Sequence, residues 1–76
     1  MYHNIEFRLK GITEIETPGR RHLEQLVIKP GTRLHAQIKP YVIESKFGPV
    51  EVADLLFEDG SVARGVRFAS FSFVEE

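Results

Sequence analysis

The chain has 76 residues, a mass of 8.7 kDa and a formal net charge of −1. That length allows one small domain, residues 1–76, and leaves little core to hold it together. No cysteine is present, which excludes a disulfide framework, thiolate metal ligands and a cysteine nucleophile. No apolar run exceeds three residues, against the ~20 that a membrane-spanning helix needs. No basic segment followed by an apolar run opens the chain, so no secretory signal is expected. The 42% hydrophobic content is too high for a disordered tail. These limits point to a soluble, cytoplasmic, folded mini-domain with no membrane contact.

In chain order, Ile5, Phe7 and Leu9 alternate with Asn4, Glu6, Arg8 and Lys10, the period of a half-buried strand. Pro18-Gly19 reads as a type II turn. Residues 20–28 leave two readings open. Leu23, Leu26 and Val27 have helical spacing, and Thr17-Pro18 offers an N-cap and first helical position. Leu26 and Ile28 also alternate as in a strand. Pro30-Gly31 marks a second type II turn, and Leu34, Ala36 and Ile38 then alternate with Arg33, His35, Gln37 and Lys39.

Pro40 is a weak break, compatible with an edge position, and Gly48-Pro49 is a stronger one. Val50 and Val52 lie in one phase, and Ala53, Leu55 and Phe57 in the other, which suggests a β-bulge at Val52 and Ala53. Asp59-Gly60 signals a hairpin that needs positive φ. Val62, Val66 and Phe68 form a further strand set. Phe71 and Phe73 follow in a shifted phase, which places a turn or short 3₁₀ segment near Ala69 and Ser70. The expected core is Ile5, Phe7, Leu9, Leu34, Ala36, Ile38, Val52, Leu55, Phe57, Val66, Phe68 and Phe71.

The run KPGTRLHAQI, an extended stretch, VEVADLLFEDGSVARGVRFASF and a short last strand cover roughly residues 29–75. This pattern resembles the small Src-homology-3-like barrels of the Tudor and KOW type. The resemblance implies an all-β, antiparallel barrel of five to seven strands over residues 29–76. Residues 1–28 would then be an added N-terminal hairpin. An OB-type barrel is the alternative. Tudor domains carry an aromatic cage for methylated side chains, and no such cage can be placed here.

No nucleophile elbow, P-loop, dinucleotide fingerprint or zinc-protease motif occurs. His3, His22 and His35 lie far apart, so no metal site is expected. Nothing calls for a cofactor, and a non-enzymatic role is expected. Asp54 interrupts an apolar strand; it either faces outward beside the bulge or is a buried carboxylate with a partner such as Arg64 or Arg67. Charge is uneven along the chain: residues 1–39 carry seven Lys/Arg against four acids, and residues 40–76 three against seven.

A protein-binding module or small subunit is the leading functional expectation. The exposed edge of residues 2–10 and the aromatic end at Phe71 and Phe73 are its candidate surfaces, with a protein partner or self-association implied. The alternative is RNA binding by Arg20, Arg21, Lys29, Arg33, His35 and Lys39, with Tyr41 as a stacking platform. Phe47 is a second candidate platform. Against that alternative stands a sequence pI of about 6.3, well below the ~9 usual for nucleic-acid domains.

Overall fold

A computed structural model describes residues 1–19 and 24–74. The described residues form seven strands: β1 (His3–Phe7), β2 (Gly11–Glu16), β3 (Glu24–Ile28), β4 (Arg33–Ser45), β5 (Gly48–Phe57), β6 (Val62–Arg67) and β7 (Phe71–Phe73). One 3₁₀ turn, Phe68–Ser70, joins β6 to β7 at the expected place. The strands make a single antiparallel sheet in the order β3-β2-β6-β5-β4-β1-β7. The sheet curls into a half-barrel. The all-β expectation therefore holds. No helix of the described residues is long and apolar enough to cross a membrane.

The helical option over residues 20–28 gives way where it can be seen. Glu24–Ile28 is a strand paired along β2, with Ile12 opposite Val27 and Gly11 opposite Ile28. Cross-strand pairing outweighs a short run of helical spacing. Residues 20–23, including the candidate site residues Arg20 and Arg21, lie outside the described residues. Within the first 28 residues, the paired strands are β2 and β3. β1 instead sits between β4 and β7, so residues 2–10 do not form an open sheet edge.

The concave face carries the core: Ile5, Phe7, Ile28, Ala36, Ala53, Leu55, Ala63, Val66 and Phe71. Leu26, Leu34, Ile38, Phe57 and Phe68 pack against it. Three of the core residues are alanines at 0% exposure. Their small side chains leave room for Phe7 and Phe71, whose ring centroids lie 5.6 Å apart. Alternating small and large residues is how a tightly curved sheet fills its interior.

Leu9 departs from expectation, at 58% exposure. β1 ends at Phe7, and the next two amides turn toward the 3₁₀ segment, Arg8 N and Leu9 N both donating to the Ser70 carbonyl. The alternation of β1 therefore stops before Leu9.

The bulge also moves. Ala53 pairs with Val66 and Leu55 with Ala63, so Asp54 alone faces Arg64 and Gly65. The extra residue is in β6, where Gly65 takes φ +67°. The phase change at Val52 and Ala53 has another cause. Both are buried, but Val52 pairs with Tyr41 and Arg67 and stands outside the main core. Alternation places the two side chains on opposite faces of the sheet.

Pro40 is accommodated inside β4 because β1 covers β4 only as far as Ala36. Beyond that point β4 has one free edge, where a residue without an amide hydrogen is tolerated. The β5–β6 turn is held by Asp59, which accepts bonds from both the amide and the hydroxyl of Ser61. These bonds hold the Asp59 carboxyl below its ordinary pKa.

Candidate functional site

Three regions bear on function: the convex face of β4, the β4–β5 hairpin beyond the body of the sheet, and a cleft beside β2.

On the convex face, alternation in β4 puts Arg33, His35, Lys39 and Tyr41 in one row, as the sequence pattern implies. Lys29 is exposed in the connection between β3 and β4. The row is balanced by acids and amides from neighbouring strands. Arg33 Nε donates to Glu6 Oε1 at 2.9 Å across the β1–β4 ladder. His35 Nδ1 lies 2.8 Å from Asn4 Oδ1, and its Nε2 lies 3.1 Å from Glu58 Oε1. The His35 ring also stacks on Tyr2, with centroids 5.3 Å apart. Lys39 faces Asp54 in register.

Tyr41 is tied into a second polar group. Its hydroxyl donates to Asp54 Oδ1 at 2.9 Å, and the Gly65 amide donates to the same oxygen at 3.0 Å. Arg64 Nη1 lies 3.7 Å from Asp54 Oδ2, while Arg64 Nε and Nη2 both donate to Glu16 Oε2, at 3.0 and 2.8 Å. The hydrogen bond to Asp54 raises the Tyr41 phenol above its usual pKa, because loss of its proton would break that bond and set two anions side by side. Glu16 in turn raises the Arg64 guanidinium. Asp54 thus takes the outward-facing alternative, on the convex face, with Arg64 beside it rather than as a buried pair.

The β4–β5 hairpin is the feature that sequence reasoning did not single out. From Lys39 opposite Asp54 to Ser45 opposite Gly48, the two strands pair with each other. The free edge of β4 and a two-residue tip at Lys46 and Phe47 make this segment an arm. Its tip is locked by Ser45, whose hydroxyl donates to the Gly48 carbonyl at 2.7 Å and accepts from the Phe47 amide at 3.2 Å. Phe47 is 97% exposed and Val42 59% exposed, and Ile43 is exposed too. The sequence signal was present: Val42, Ile43, Phe47 and Val50 exceed what a strand buried on one face needs. Strand periodicity alone could not show that β1 stops short of them.

The cleft lies where β2 and β6 part. It has a volume of about 380 Å³, with Phe7, Thr13, Ile28 and Val66 among its lining residues and Lys10 and Arg67 beside them. Among the described residues, no group of three or more His, Cys, Asp or Glu is placed to hold a metal ion. Comparison with protein-family models, curated proteins and solved structures finds no match to this chain.

Proposed function

We propose that this chain is a non-enzymatic interaction module, of Src-homology-3-like barrel type, that docks a protein partner through its β4–β5 arm. One observation carries the reading: a locked hairpin tip presents an almost wholly exposed Phe47, with exposed Val42 and Ile43 behind it on opposite faces of the arm. Burying one Phe ring supplies about 1.5–3 kcal/mol, and an aromatic anchor on a firm backbone is the usual centre of a binding hot spot.

The aromatic end of β7 supports the reading less, because Phe71 belongs to the core. RNA binding has weaker support still. Arg33 and His35 each face a carboxylate within 3.1 Å, which reduces the positive potential that a phosphate backbone would meet.

Affinity capture with wild-type and Phe47→Asp baits tests the proposal. A partner retained by the first and lost by the second is expected. Identical captured sets would overturn it. A parallel anisotropy titration with mixed-sequence single-stranded RNA, at about 50 and 200 mM salt, separates the alternative, since phosphate contacts weaken steeply over that range.

A further inference from the structure

The ladder between β2 and β6 stops early. It runs from Glu16 opposite Val62 to Glu14 opposite Arg64. Beyond that pair the Gly65 bulge bends β6, and residues 11–13 and 65–67 no longer pair with each other. The gap is the 380 Å³ cleft. Phe7, Ile28 and Val66 form its buried floor, and its walls mix exposed Leu9 and Ile12 with the polar side chains of Lys10, Arg67 and Ser70. Thr13, also buried, has its hydroxyl committed to the Arg64 carbonyl at 2.8 Å. A cavity of about 150 Å³ is enough to hold benzene, so by size this cleft admits a phenyl ring. Lys10 and Arg67 stand exposed beside it, and neither is ion-paired among the described residues. No carboxylate lines the cleft.

The arm carries the complementary parts. Phe47 is at its tip, and Glu44 and Glu51 share one of its faces with Val42. The two features also lie at the same end of the sheet. Arg67 is opposite Val52, and Val52 is opposite Tyr41, where the arm leaves the body. The exposure of Phe47 shows that an arm does not fill its own cleft. Two copies can fill each other's. With arm and cleft at one end, a reciprocal exchange closes around a two-fold axis and stops at two chains.

We propose that two copies of this chain associate in this way, Phe47 of each arm entering the cleft of the other while Glu44 and Glu51 face Lys10 and Arg67. This rests on the reading of the arm as the docking element and names a second copy as its partner.

Sedimentation velocity over a concentration series tests it. Wild-type protein should dimerise. Phe47→Asp, and separately K10E/R67E, should each weaken the dimer at least tenfold without loss of fold by circular dichroism. Because the native chain has no cysteine, Phe47→Cys and Ile12→Cys variants mixed under oxidising conditions should form a disulfide-linked pair. Phe47→Cys mixed with Glu58→Cys should not. A wild type that stays monomeric at every concentration overturns the two-copy proposal; partner capture lost on Phe47→Asp would then still uphold the arm as a docking element. A Phe47→Asp variant that dimerises like wild type and captures the same partners overturns both.

Discussion

The two halves of β4 follow the same alternation and have opposite fates. Over residues 33–36 the strand is covered by β1, and Ala36, which also pairs with Phe57 of β5, is wholly buried. Past that point it is flanked by β5 alone, and Val42 and Ile43 stand in solvent. Period-two hydrophobicity therefore reports a strand, while burial depends on what lies beside and across it. In the body, apolar side chains hold the fold. In the arm, the same kinds of residue are left for another surface.

The largest contrast should appear on truncation in the body. Leu55→Ala removes a fully buried side chain from the centre of the core. A loss of about 2–5 kcal/mol is expected by urea denaturation. A loss under 1 kcal/mol would mean that the body is as loosely packed as the arm.

A pair of turn glycines sharpens the comparison. Gly60 and Gly31 have nearly equal φ, +89° and +87°. A Cβ at Gly60 would come 3.0 Å from Pro18 Cγ, whereas none of the packed surroundings approaches within 4 Å at Gly31. Both alanine variants should lose about 1–3 kcal/mol from backbone strain, with Gly60→Ala the worse. Pro18→Ala in the Gly60→Ala background should recover the difference. Equal losses would place the whole cost in φ.

The junction between body and arm should respond more weakly. Tyr41→Phe removes one partly exposed hydrogen bond to Asp54, worth about 0.5–1 kcal/mol. The pH dependence has a definite sign. The folded state holds the phenolic proton more tightly than the unfolded chain does. The Tyr41 contribution is thus complete below about pH 10 and is lost as pH rises through the raised value. Wild type should lose stability more steeply than Tyr41→Phe above about pH 10. Parallel curves would remove Tyr41 from the account.

The smallest effect is expected at Arg33→Ala. Its ion pair with Glu6 is exposed on both sides, and such pairs contribute about 0–1 kcal/mol.

Much of this was legible in the residues. The strands β1, β4, β5 and β6, the 3₁₀ turn and the positive φ at Gly31 and Gly60 follow from local alternation and turn chemistry, but Val62 and Val66 do not share a face, because the Gly65 bulge lies between them and Ala63 joins Val66 in the core instead. What local pattern could not supply was the neighbour of each strand. The exposure of Leu9 depends on where β1 turns toward Ser70. The bulge falls in β6 because Gly65 admits it there. Val52 is buried on the convex side because Tyr41 and Arg67 flank it. The basic row on β4 was foreseen as a row, but its acidic partners come from β1 and from the β5–β6 turn, distant in sequence. The arm escaped notice for the same reason: its free edge is a fact about where β1 ends.

The most direct test is thermal melting of Phe47→Asp beside wild type, at concentrations low enough to suppress association, with binding measured separately for both proteins over a rising concentration series. The account predicts a melting temperature unchanged within the effect of about 0.5 kcal/mol, as for ordinary surface substitutions, together with loss of binding. A melting temperature that falls as far as that of Leu55→Ala, or binding that survives intact, would contradict it.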